Sequence, residues 1–337
     1  MCRFIGTLCF VGVMVVAGLT VFPSALPDAV DATRQQPVAL LLVAGCWAAA
    51  TVASVAGKRL IAVGHLGWLD TTTCHVSGTV ANRVVPAGVG SAGVFIAALR
   101  RGGASTCLAS SIVALWAAAG GVIHASGLAF GLGWLRYGTA GLVVVAAVAA
   151  SLALLTPTML RRARSTAVLE RLRRRRRRSA QRRPRTAVQR AVRRRALDVA
   201  DTARQLASSV RARPAIAIGA LLAQLASMLC LAIGFATAVT AFAVPVTVGT
   251  AMAIYMAGTA VSATTPTPAG IGSSEAALVA GLVVAGVSFS EAFPVVLLFR
   301  AVILLAPIVA AAAFAGGWAA GNIRGWLGNI RPSGQPR

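Results

Sequence analysis

Four ionisable side chains fall inside apolar stretches of this chain: Asp70, Arg83, Glu275 and Arg300, while Glu291 stands near the end of another stretch. A charge at bilayer depth costs about 2.5–3.5 kcal/mol on insertion scales, so each needs a partner or a cavity. Two guanidinium groups and a carboxylate suit a charged head group. An arginine grips a phosphate through a planar fork of donors, and a carboxylate holds a cation or switches by protonation. Each residue also has a plainer reading. Glu275 can simply cap a helix, Arg300 can tie helices together through an ion pair, and Arg83 can snorkel to the interface. Asp70 and His75 read as interface residues rather than ligands. No Ser/His/Asp triad or other catalytic constellation stands out, so no enzyme is indicated and no cofactor is expected. The six cysteines show no C-x-x-C or Cys/His spacing, which points to small apolar fillers rather than a metal site or disulfide frame.

The element that must position Glu275 is unusual. Thr265–Glu275 (TPTPAGIGSSE) carries Pro266, Pro268, Gly270 and Gly272 inside a long apolar region. Proline lacks the amide donor and glycine weakens a helix, so this backbone does not cross hydrocarbon as a plain helix. Non-helical backbone at membrane depth is tolerated only where protein or a wet cavity satisfies it. The stretch is either a loop outside the membrane or the broken tip of a re-entrant hairpin. A helix beginning after Gly272 places Glu275 in its first turn, where an anion is favoured. The phrase recurs as Pro86-Ala87-Gly88-Val89-Gly90-Ser91. After a one-residue gap, Leu99–Ser105 aligns with Leu282–Ser288, and Ile112–Trp116 with Val295–Phe299. Two broken elements at corresponding places in two halves point to a transporter-like site. Pro86, Gly88, Gly90, Pro266, Pro268, Gly270 and Gly272 are the expected hinges, and Gly93 takes the place of Glu275 in the first copy.

Composition sets the surroundings. The chain is 57% hydrophobic and 12% charged, with a mean hydropathy of +0.79, as in a polytopic membrane protein. The expected architecture is all-α, with about six full spans and two broken re-entrant hairpins. The spans are Phe4–Phe22 (a retained helix rather than a cleaved signal), Val38–Gly57, Ala104–Gly127, Tyr137–Leu155, Pro214–Ala238 and Glu291–Trp318. The hairpins lie near 60–103 and 240–289. Lys58 and Arg59 close the second span and, by the positive-inside rule, place that end and both termini in the cytoplasm. Trp134, Arg136 and Tyr137 look like an interfacial belt. The two hairpins then enter from opposite sides, making an inverted repeat. The chain divides into a first membrane half at 1–160, a cytoplasmic loop at 161–213, a second membrane half at 214–322 and a cytoplasmic tail at 323–337.

The net charge of +24 is concentrated: the loop 161–213 holds 20 of the 32 basic residues. Arg173, Arg174, Arg175, Arg176, Arg177 and Arg178 are consecutive, and apolar residues from Val188 to Val210 recur at near-helical spacing. This suits an amphipathic helix on an anionic phospholipid surface, at about 1 kcal/mol per basic residue. The minimal reading is a topology anchor. With no interleaved aromatics and no recognisable module, nucleic acid is not the expected partner.

Pro266 with Pro268–Glu275, followed by a span containing Phe299-Arg300, resembles the transmembrane region of lysylphosphatidylglycerol synthases and their stand-alone relatives. Val287–Ala292 adds to the likeness. Arg83, Pro86 and Arg100-Arg101 carry a looser one in the first half, and together the likeness covers most of residues 38–320. It implies a membrane domain that moves lipids between leaflets. A stand-alone member without the soluble aminoacyl-transferase domain of the bifunctional ones is expected, and the Arg-rich loop departs from the family pattern. The expectation is a bacterial inner-membrane lipid translocase in which Arg83 and Arg300 hold a phosphate head group and Glu275 a cationic one. The alternative is a non-transporting scaffold in cell-envelope glycolipid synthesis, with the basic loop docking a soluble enzyme.

Overall fold

A computed structural model of the protein describes residues 30–31, 34–84, 89–140, 214–263, 265, 267 and 270–329, with side chains described as far as residue 313. Among the hinge residues, Pro86, Gly88, Pro266 and Pro268 lie outside the described residues. So do Arg173 to Arg178, the apolar run 4–22 and most of the run 137–155. The described chain is helical and contains no strand. Its elements are α1 (Pro37–Ile61), α2 (Trp68–Val84), α3 (Val89–Arg101), α4 (Thr106–Tyr137), α5 (Pro214–Ala241), α6 (Val248–Ser262), α7 (Ser273–Val284) and α8 (Phe289–Asn329). The chain divides into two compact units, residues 1–131 with 215–337, and residues 132–214.

Length separates the helices into two kinds. α1, α4, α5 and the Phe289–Ala313 part of α8 are long and apolar enough to cross a membrane. At about 1.5 Å per residue, the 25 residues of α1 exceed a hydrocarbon core of about 30 Å. α2 and α3 have 17 and 13 residues, α6 and α7 15 and 12, so none of the four spans that core upright. They form the two broken pairs. One expected boundary moves: the span that begins near residue 104 does not stop at Gly127 but continues as helix to Tyr137. Glycines and the aromatic-basic cluster at its end suggested an interface, yet nothing there interrupts backbone hydrogen bonding.

The two halves repeat one plan of span, broken pair and span, as α1–α4 and α5–α8. The repeat reaches individual hydrogen bonds. α3 ends with Gly103 in the left-handed region (φ +86°), Gly103 N–H donating to Arg100 O and Ala104 N–H donating to Leu99 O at 3.0 Å. α7 ends with Gly286 at φ +92°, Gly286 N–H donating to Val283 O and Val287 N–H to Leu282 O at 3.1 Å. These are the same glycine-terminated cap at the positions aligned by sequence. Upstream, α1 and α5 are followed by the only non-glycine residues with positive φ among those described, Val63 (+50°) and Ala243 (+52°).

Small residues let the short helices approach closely. A Cβ built on Gly90 would stand 2.8 Å from the Ala81 carbonyl carbon and 2.9 Å from its oxygen, so α3 can lie against α2 only with glycine there. Gly93, three residues further on, faces open space. Gly90→Ala is therefore expected to destabilise the fold by about 1–3 kcal/mol through forced separation of the pair. Gly93→Ala should be neutral or stabilising by up to about 1 kcal/mol, because alanine is the better helix former. Unfolding of the two variants in one detergent checks this, and equal effects would contradict the packing.

Candidate functional site

The expected head-group residues meet near the middle of the long helices. A cavity of about 260 Å³ opens among four helices of the first unit. α1 contributes Trp47, Ala50, Thr51 and Ser54. α2 contributes His75, Thr79, Asn82 and Arg83; α5 contributes Ser227 and Leu231; α8 contributes Arg300, Ile303 and Leu304. Positions 75, 79 and 82 follow the i, i+4, i+7 spacing of one helix face, which makes α2 a polar stripe along one wall.

Arg83 and Arg300 both line this cavity, on helices from different halves of the repeat. Arg83 Nη2 donates to the Ile303 carbonyl at 2.9 Å. That acceptor is available for a physical reason: Pro307, four residues on inside α8, has no amide hydrogen to give it. Arg83 Nε is buried without a hydrogen-bond partner, and no carboxylate lies within ion-pair reach of the guanidinium among the described residues.

Arg300, 7% exposed, donates through Nε to Glu275 Oε1 at 2.7 Å. The other oxygen, Oε2, accepts the Gly272 amide at 2.7 Å. Glu275 thus caps α7 and neutralises Arg300 at once, and its carboxylate meets a guanidinium of the protein where a cationic head group was expected. Gly270 and Gly272 explain the glycines of the broken phrase: both sit in the left-handed region, at φ +68° and +82°, and turn the chain into α7. Gly90 serves the first pair differently, by close packing. Phe299, next to Arg300, packs edge-on against Phe235 and Tyr255, with centroids 5.3 and 5.6 Å away. This aromatic cluster ties α5, α6 and α8 together beside the ion pair.

Two residues take places that the sequence reading did not give them. Lys58, expected as an exposed charge closing a span, is 5% exposed inside the bundle. Its ammonium lies 3.1 Å from His75 Nδ1 and over the rings of Phe95 (5.4 Å) and Trp116 (5.7 Å). The paired rings and imidazole replace water around the charge. Arg59, next in sequence, is exposed and stacks on Trp68 at 4.6 Å, so it alone has the expected interfacial character. His75, expected at an interface, is the link between Lys58 and the cavity wall. The second broken pair does not line the cavity and reaches it only through Glu275 on Arg300. Asp70 lines a different space near the end of α3, of about 1140 Å³, with His65 and Arg101. No group of three or more His, Cys, Asp or Glu able to hold a metal occurs among the described residues.

The lysylphosphatidylglycerol synthase TM region family matches residues 6–311, most of the chain. The chain belongs to that family. The resemblance read from Pro268–Glu275 and Phe299-Arg300 is thereby borne out; of these residues, Gly270 and Gly272 turn the chain into α7, and Glu275 and Arg300 form the bridge. The family and the apolar helices together identify a membrane protein with a lipid-related role. No curated protein and no solved structure matches the chain.

Proposed function

We propose that this family member is a lipid translocase of the bacterial plasma membrane, and that the cavity of Arg83 and Arg300 holds the head group in transit. The observation that carries the reading is Arg83: a guanidinium facing a cavity whose other walls are the middle stretches of α1, α5 and α8, with Nε buried and unpaired. A charge is maintained at that depth only where something compensates it, and a passing phosphate does so. The repeat of span, broken pair and span supports alternating access by rocking one half against the other. The phosphate contact lies on helices of both halves, so such motion would open and close the site. In this reading both termini face the cytoplasm, the Arg173–Arg178 run holds anionic phospholipid there, and the protein moves lipid without making or breaking its bonds.

Proteoliposomes containing head-group-labelled phospholipids and a membrane-impermeant quencher test this directly. The protein is expected to expose the inner-leaflet pool of at least one phospholipid to the quencher. Exposure no faster than in protein-free vesicles, for every lipid tried, overturns the proposal.

A further inference from the structure

The donors, acceptors and charges around the cavity define the head group more narrowly, given the translocase reading on which this step rests. Three cations stand at or directly behind the wall: Arg83, Arg300 and Lys58. Four of the eight acidic residues are described. Asp31 pairs with Arg34, Glu291 binds Ser288, and Asp70 lines the other space. Glu275 alone comes near, and both its oxygens are occupied, by Arg300 and by the Gly272 amide. No carboxylate among the described residues is left to face the cavity.

The neutral groups lean the same way. Lys58 donates to His75 Nδ1, which places the imidazole proton on Nε2 and makes the rest of the ring a donor. Asn82 Oδ1 accepts the Ser91 amide at 2.8 Å, leaving the amide NH2 of Asn82. The Ile303 carbonyl already accepts from Arg83. Beside the hydroxyls of Thr51, Ser54, Thr79 and Ser227, which can donate or accept, the groups left over are N–H donors: Arg83 Nε, His75 Nε2 and the Asn82 amide.

We infer that the head group accepted here is a lipid phosphate bearing no positive charge of its own, and that His75 and Asn82 join Arg83 in binding its oxygens. An aminoacylated or amine-bearing head group brings an ammonium that meets cations and donors but no carboxylate. Lys58 is a positioning residue in this scheme, fixing the His75 tautomer from behind.

Asn82→Asp tests the assignment with little change of shape, since Asp retains the acceptor for Ser91 and replaces the NH2 with an anionic oxygen. Binding of chain-matched phosphatidylglycerol and lysylphosphatidylglycerol to the full chain can be measured by native mass spectrometry. The wild type is expected to bind phosphatidylglycerol at least about tenfold more tightly, and Asn82→Asp to erase that preference. Equal or tighter binding of the lysylated lipid by the wild type overturns the inference, as does an unchanged preference in a folded Asn82→Asp protein. Soluble glycerol phosphate is included as a competitor. If it matched the lipid at equal concentration, the ligand would be a free phosphate ester and the lipid assignment would fall. Selective phosphatidylglycerol binding without transport in proteoliposomes would remove the translocase reading and leave the head-group inference standing.

Discussion

Glu275→Gln is expected to destabilise the protein by about 3 kcal/mol, and adding Arg300→Gln should recover at least half of that loss. Removing one partner of a buried pair strands the other charge, at roughly 3–5 kcal/mol. The lower end applies because the Glu275 side chain is 24% exposed while that of Arg300 is 9%. Glutamine keeps an oxygen for the Gly272 amide, so the change isolates the charge and leaves the cap of α7 in place. The double variant leaves two neutral amides able to bond each other, and the non-additivity measures the coupling. Denaturant or thermal unfolding in a fixed detergent would show it. A double variant as unstable as the sum of the two singles would mean that the pair is not coupled.

Arg83 carries the largest expected functional effect. Arg83→Gln should lower lipid translocation roughly 100-fold, since charge-assisted bonds are worth about 1.5–3 kcal/mol each and two are available to a phosphate. Glutamine ends two bonds short of Nη2 and gives up the bond to the Ile303 carbonyl along with the charge, so the rate must be read on protein shown to be folded. Arg83→Lys should fall between wild type and Arg83→Gln, because an ammonium retains the charge and loses the fork. Initial rates of quencher exposure, normalised to folded protein, would rank the three. A lysine variant as slow as glutamine would place the weight on donor geometry rather than charge. A glutamine variant as fast as wild type would remove Arg83 from the site.

The legible parts of the fold were those with strong local chemistry. Proline and glycine inside an apolar run marked the broken pairs, and the self-similarity of Leu99–Ser105 and Leu282–Ser288 located a shared cap that the hydrogen bonds bear out. Arg83, Glu275 and Arg300 were visible because ionisable residues are rare in such surroundings. Lys58 was missed for the opposite reason. At the end of an apolar span and beside Arg59, it looks like an interfacial charge, and only the Phe95 and Trp116 rings packed over it reveal burial. His75 and Asn82 are polar residues on an arm too polar to read as a plain span. Their spacing with Thr79 on one helix face was the available signal. The pairing of Glu275 with Arg300 crosses 25 positions and one turn, and became definite only once α7 and α8 were packed. The ionisable residues of the two halves also differ, Gly93 standing where Glu275 stands, so internal symmetry could not supply one half of the site from the other.

The central claim is that a lipid head group enters this cavity near mid-membrane. A phospholipid with a photoreactive group on its head group tests it most directly, with the cross-linked peptides mapped after illumination in membranes. Bulk lipid keeps its head groups at the interface, so labelling there reports nothing specific. The account predicts labelling of the cavity-wall segments 47–54 of α1 and 75–83 of α2, lost in Arg83→Gln. Labelling confined to the ends of α1, α4, α5 and α8, and unchanged by that substitution, would contradict it.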